Sequence, residues 1–268
     1  MSELIKAFIV GIVQGLTEFL PVSSSGHIVI AEEILGLKHD QQENLFFVIV
    51  LHFATALSTI VVFRKDIFQL LKGLFQFRKN EEFLFTLKII LSMIPAVLVG
   101  FFLKDTLEEL FSNLRLVGFM LLITAILLLI ADRTKNTKKD IGFGHSFVIG
   151  LSQGIAALFP GISRSGTTIA TAILLGNDKS KAARFSFLMV LPLILGAMAK
   201  MYLDIDNSSL ENAISFDFAS ILIGFFAAFF SGLFACRWMI ELVKKAKLKY
   251  FSIYCIIVGV FVVIYTFV

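Results

Sequence analysis

The chain has 268 residues, 57% of them hydrophobic and 16% charged, with a formal net charge of +4. Soluble domains carry about 25% charged residues, so a single soluble core could not hide this much apolar surface, and a soluble enzyme or scaffold is excluded. The positive balance does not indicate nucleic acid, because the Lys and Arg residues fall mainly in short links between apolar blocks, where a membrane protein needs them for orientation.

The first stretch carries acidic Glu3 beside Lys6 and no small-residue cleavage site after its apolar run, so it is expected to belong to the mature protein rather than to a signal peptide. It leads into Gly11-Ile-Val-Gln-Gly-Leu-Thr-Glu-Phe-Leu-Pro21 and the cluster Ser23-Ser-Ser-Gly26. Apolar blocks follow at 45–63, 83–103 and 114–131. A related segment, Gly150-Leu-Ser-Gln-Gly-Ile-Ala-Ala-Leu-Phe-Pro160, then runs into Ser163-Arg-Ser-Gly166 with one extra residue after its proline. Three further apolar blocks, 185–203, 217–236 and 250–268, complete the chain. Each block is close to the ~20 residues that cross a bilayer core, which predicts six spanning helices.

The arms around the two Ser/Gly clusters are shorter, and each pair reads as a helix-loop-helix that enters the membrane and returns. Three crossings after each hairpin put an odd number between the halves, so the second half is expected upside down relative to the first. The fold expected is therefore an all-α integral membrane domain with six transmembrane helices and two re-entrant hairpins. It is built as inverted repeats over about 1–131 and about 145–268. Charge bias agrees. Arg64, Lys65, Lys72, Arg78 and Lys79, then Arg133, Lys135, Lys138 and Lys139, then Lys244, Lys245, Lys247 and Lys249 fall on one side of this arrangement. The opposing links hold Asp105, Glu108 and Glu109, and Asp204, Asp206, Glu211 and Asp217. Both termini are expected outside the cytoplasm.

Pro95 and Pro192 lie inside spans and are read as kinks. Cys236 and Cys255 lack any CxxC spacing and read as buried, inert thiols.

Ionisable groups deep in apolar segments suggest function, and the hairpins supply Glu18, His27 and Arg164 near their turns. Irregular backbone at membrane depth must line a wet cavity or be buried in protein, so the two Ser-rich loops are expected to face each other. Together they would present helix N-termini, backbone N–H groups, hydroxyls and a guanidinium, which suits a phosphate or diphosphate. Gly26 and Gly166 allow close backbone approach or a positive φ. A Ser or His as nucleophile or base, a carboxylate and an Arg are the parts of phosphoryl transfer. Glu18 and His27 occur only in the first copy, where Ala157 stands opposite Glu18, and Arg164 only in the second. The three hydroxyls Ser23, Ser24 and Ser25 divide between a nucleophile and helix caps.

Gln14-Gly-Leu-Thr-Glu18 with Pro21-Val-Ser-Ser-Ser-Gly-His27, and Pro160-Gly-Ile-Ser-Arg-Ser-Gly166, resemble the motifs of the undecaprenyl-diphosphatase (bacitracin-resistance) family along nearly the whole chain. The resemblance implies a bacterial inner-membrane phosphatase that converts undecaprenyl diphosphate to undecaprenyl phosphate and inorganic phosphate, recycling the carrier lipid of cell-wall synthesis. It carries catalytic roles to Glu18, Ser24, His27 and Arg164, and substrate binding to Gln14, Ser23, Ser25, Gly26, Ser163, Ser165 and Gly166. A divalent cation, Mg²⁺ or Ca²⁺, would rest on Glu18 and Gln14, the latter standing where many members have Glu. The site is expected to open on the periplasmic side, among membrane lipids, and a homodimer is the assembly considered. Ser24 attacking with His27 as base, direct attack by His27, and attack by water all remain open at this point. So does a rival class, a transporter or flippase of a polyprenyl phosphate lipid, which shares the inverted-repeat architecture. His52, Lys88 and Lys200 read as helix contacts or snorkelling cations, and His39 and His145 suggest nothing.

Overall fold

A computed structural model describes residues 1–36, 41–76, 78–103, 110, 113–204, 218–245 and 247–267. His39 and the acidic residues Asp105, Glu108, Glu109, Asp206, Glu211 and Asp217 lie outside the described residues. All regular structure among the described residues is helical. The order is α1 (Glu3–Phe19), α2 (Ser24–Leu35), α3 (Gln41–Val62), α4 (Arg64–Leu74), α5 (Glu81–Phe102), α6 (Leu114–Arg133), α7 (Phe143–Leu158), α8 (Arg164–Leu174), α9 (Lys179–Asp204), α10 (Phe218–Lys244) and α11 (Lys249–Tyr265).

Among the described residues four helices, α5, α6, α9 and α10, are long and apolar enough to cross a membrane, and α3 with α4 makes a fifth when the bent pair counts as one span. Two differences from the sequence expectation follow. The first basic link is itself a helix: α4 leaves α3 at 80°. Its apolar Phe68 and Leu71 are exposed beside Arg64, Lys65 and Lys72, a pattern suited to a membrane interface. The last block forms α11 of 17 residues, about 26 Å at the helical rise, a little short of the ~30 Å hydrocarbon core. Pro95 and Pro192 lie inside α5 and α9 as expected, and Cys236 and Cys255 are buried free thiols.

Helices α1 and α7 stop for the same local reason. The residue before a proline is driven out of the α region, and Leu20 and Phe159 are extended, at φ −71°, ψ 142° and φ −113°, ψ 113°. Helices α2 and α8 then start on serine caps: Ser23 Oγ accepts from Gly26 N at 3.2 Å and Ser163 Oγ from Gly166 N at 3.0 Å. Two helix–turn–helix hairpins result, α1–α2 and α7–α8.

Packing between the halves is reciprocal. Helix α1 lies along α10, α7 lies along α5, and α6 and α11, the last helices of each half, lie together. Small residues permit the close approach. A Cβ on Gly11 or Gly15 would collide with Gly224, Ala227 or Ser231 of α10, and one on Gly150 with Ser92 of α5. The basic links gather at one end of the bundle. Asp132 Oδ1 accepts from Lys249 N at 3.1 Å, Asn136 Oδ1 from Lys179 N at 3.1 Å, and Asp66 pairs with Arg184 Nε at 2.6 Å.

Candidate active site

The two hairpin turns meet. Gly26 sits so close to Gly161 that an added Cβ would lie 3.1 Å from the Gly161 Cα, and one on Gly166 would lie 3.2 Å from the Pro21 Cβ. Ser165 Oγ donates to Leu20 O of the opposite turn at 3.2 Å. Of the two roles foreseen for Gly26 and Gly166, the structure therefore shows close approach. Positive φ falls instead on Ser23 (72°) and Gly161 (95°). Gly161 is the extra residue of the second turn. Its carbonyl accepts from Thr124 Oγ1 at 3.1 Å, and the same hydroxyl accepts from Ser163 N at 3.0 Å, so α6 holds this turn in place.

Ser23 has no such relief, and a non-glycine residue at positive φ costs on the order of 1–3 kcal/mol. His27 clamps it. The Ser23 carbonyl accepts from His27 N at 3.1 Å and from His27 Nδ1 at 2.8 Å. Because a carbonyl can only accept, Nδ1 carries the proton. The other nitrogen, Nε2, then accepts from Tyr254 Oη at 2.8 Å, and the two rings stack with centroids 5.6 Å apart. Both nitrogens of His27 are thus engaged.

Glu18, near the end of α1, is the centre of the site. It is 7% exposed, and a buried carboxylate must be compensated. Its Oε1 is ion-paired with Arg164, the first residue of α8. Its Oε2 accepts from Ser24 Oγ at 2.7 Å and from Gln14 Nε2 at 3.0 Å. Ser24 is the first residue of α2, so the N-terminal residues of both hairpin return helices converge on one carboxylate. The remaining hydroxyls fit a supporting role: Ser23 and Ser163 cap, and each also lies 3.3 Å from the serine two residues on, Ser25 or Ser165.

A cavity of about 400 Å³ opens over this centre. Its walls include Glu18, Ser23, Ser24, Ser25, Ser163, Arg164 and Ser165, with apolar Ile28, Val48, Ala157 and Ile194 around them. A pocket of this size, mostly apolar with a few convergent polar groups, suits a small anionic head attached to an apolar body. His27 does not line it. Two other groups do: Glu32 of α2, which no sequence motif marks, and His52 of α3, which the sequence alone reads as a helix contact. His52 Nε2 lies 3.7 Å from Glu18 Oε2. The signal was present, since a histidine inside an apolar span is as conspicuous as Glu18. Nothing in the sequence pointed to Tyr254. Elsewhere His145 Nδ1 bonds Asn177 Oδ1 at 2.9 Å and Lys88 lies over the Phe143 ring, both structural contacts.

Among the described residues no three His, Cys, Asp or Glu side chains gather as a metal cage. Yet Gln14 Oε1 is buried beside Glu18 without a hydrogen-bond partner. One carboxylate and one orphaned amide oxygen are hard donors of the kind Mg²⁺ and Ca²⁺ take.

This arrangement can be set beside known proteins. The sequence profile described as "Bacitracin resistance protein BacA" matches residues 7–261. The chain belongs to this family. It is 56% identical over 266 residues to an undecaprenyl-diphosphatase of Christiangramia forsetii, covering 99% of both chains. A protein of the same name from Parabacteroides distasonis is 50% identical with 95% of both chains covered, and one from Bacteroides fragilis is 49% identical with 98% covered. Membership accords with a multi-pass membrane protein, and the relatives' names speak for hydrolysis rather than for the transport reading. The family motifs occupy α1 with its turn and the turn into α8, the two places that supply Glu18, Ser24 and Arg164.

Proposed function

We propose that the protein hydrolyses undecaprenyl diphosphate to undecaprenyl phosphate and inorganic phosphate in a bacterial inner membrane. One observation carries the mechanism: Ser24 Oγ donates at 2.7 Å to a carboxylate that also holds Arg164. Nucleophile, proton acceptor and anion-binding arm therefore share Glu18. The entering diphosphate competes with Glu18 for the guanidinium, which is suited to phosphoryl oxygens. Ser24 Oγ attacks the terminal phosphorus, and its proton passes to Glu18. The bond from that phosphorus to the bridging oxygen breaks, its electron pair leaves with the lipid monophosphate, and Glu18 returns the proton to the departing oxygen. Water then attacks the phosphoserine, gives a proton through Glu18 to Ser24 Oγ, and releases phosphate.

The geometry favours Glu18 over His27 as proton acceptor, because both His27 nitrogens are engaged away from Ser24. His27 is a positioning residue here, holding the strained Ser23 turn from which Ser24 projects. Glu18 and Gln14 Oε1 would hold a divalent cation, which when bound neutralises charge on the diphosphate. Support for an inverted repeat comes from the reciprocal packing of α1 on α10 and α7 on α5. With the basic end cytoplasmic, both termini and the cavity mouth face outward.

Inorganic phosphate release from undecaprenyl diphosphate by purified protein in detergent tests the proposal. Release that is sensitive to chelator and lost in Arg164→Ala and Glu18→Ala is expected, with a phosphoryl adduct on Ser24 in trapped enzyme. An adduct on His27, or no release from folded wild type, would overturn it.

A further inference from the structure

His52 is a polar side chain of this cavity that the proposed reaction leaves unused. It stands on α3, outside both hairpins, yet its ring forms part of the cavity wall beside Ser24 and Arg164. Nδ1 lies 2.8 Å from Val48 O. That oxygen can only accept, so Nδ1 bears a proton and the ring is held with Nε2 toward Glu18. The 3.7 Å from Nε2 to Glu18 Oε2 exceeds hydrogen-bond length, and Oε2 is already met by Ser24 and Gln14. Nε2 therefore has no hydrogen-bond partner among the described residues; Glu18 is its charged neighbour, and it lines the same cavity as Ser24 and Arg164. His27 differs on each count: both its nitrogens are bonded and its ring is outside the cavity wall.

We infer that His52 is a substrate contact, its Nε2 meeting the terminal phosphoryl group from α3 while Arg164 meets the diphosphate from α8. This rests on the phosphatase reading above. The free nitrogen serves either protonation state of ring and ligand: a charged ring donates to a phosphoryl oxygen, and a neutral ring accepts from a P–OH. A hydrogen bond to a charged group contributes about 1.5–3 kcal/mol, so losing this one is expected to weaken binding roughly 10- to 100-fold. The contact exists before and after phosphorus transfer alike, which places its effect on KM rather than on kcat.

The test is steady-state phosphate release from undecaprenyl diphosphate in detergent for wild type, His52→Leu, His52→Gln and His52→Asn, with Arg164→Ala as reference. Expected is a KM raised about tenfold or more in His52→Leu with kcat within about threefold. His52→Gln, whose amide still reaches the cavity, recovers most of that loss. His52→Asn is too short to reach and fails like Leu, which keeps the comparison available if His52→Leu does not fold. Unchanged KM in both Leu and Asn variants, or Gln no better than Leu, overturns the inference. A lowered melting temperature with a kcat loss at constant KM also overturns it, assigning His52 a structural part. Wild type active, Arg164→Ala inactive and the His52 variants like wild type would sink this inference alone. Inactive wild type would sink the phosphatase reading and this inference together.

Discussion

The two hairpins are built alike and differ at the residues that converge on Glu18. In each, a proline ends the entering helix, a serine caps the returning one, and the third residue of the returning helix is a glycine pressed against the other turn. The Ser23–Ser25 and Ser163–Ser165 hydroxyl contacts are even of the same length, 3.3 Å. Against this common frame, the first residue of the returning helix is Ser24 in one and Arg164 in the other, and Glu18 faces both while Ala157 holds the equivalent place. Gln14 and Gln153 each leave a buried oxygen without a partner, but only Gln14 has a carboxylate beside it. The lesson is that two hairpins of the same local build form an asymmetric polar centre by differing in few side chains. The turns provide geometry, and Glu18 couples them.

Breaking that coupling is expected to have the largest effect. Glu18→Gln keeps the shape but removes the charge and the proton acceptor, and phosphate release should fall by about 10³-fold or more. Turnover within tenfold of wild type would remove Glu18 from the chemistry. Arg164→Ala should reduce kcat by about 10²–10³-fold. It should also lower the melting temperature, because the buried Glu18 carboxylate loses its charged partner, although the partial exposure of Arg164 keeps the cost below the roughly 3–5 kcal/mol of a fully buried pair. The double variant Arg164→Ala with Glu18→Ala should regain part of that stability but no activity. Recovery of neither stability nor activity would mean that the pair is not the coupling element.

Smaller changes sharpen the comparison within each turn. Gly161→Ala puts a Cβ 2.5 Å from Val117 O at a φ of 95° and should destabilise by about 1–3 kcal/mol. Gly100→Ala, with open space around it, should stay within about 0.5 kcal/mol of wild type, so equal melting temperatures would remove the strain argument. Tyr254→Phe deletes only the hydroxyl on His27 Nε2, about 1 kcal/mol. It should cost a few-fold in kcat by loosening the Ser23 turn. A loss as large as that of Glu18→Gln would return His27 to the chemistry itself.

Much of this was legible from residues alone. The apolar blocks, the repeated Gly/Pro/Ser motif and the isolated charges Glu18 and Arg164 announce a helical membrane protein with a polar centre, because each is costly unless that context exists. The boundary between α3 and α4 was not legible. Apolar and basic residues follow without a proline or glycine at the break, and the 80° bend shows only in three dimensions. His52 reads in the sequence as a helix contact, since a lone histidine in a span carries no sign of which partners the fold will bring to it.

By itself, then, the sequence determined the solvent and the vocabulary: hydropathy dictates the bilayer, prolines end α1 and α7, and serines start α2 and α8, all through interactions within a few residues. Only the tertiary structure decided which groups meet. That Arg164 pairs with Glu18 while His27 turns to Tyr254, and that His52 reaches the cavity, depends on how α1, α2, α3, α8 and α11 pack. Those contacts join residues up to 227 positions apart, and no local rule of chain geometry reaches that far.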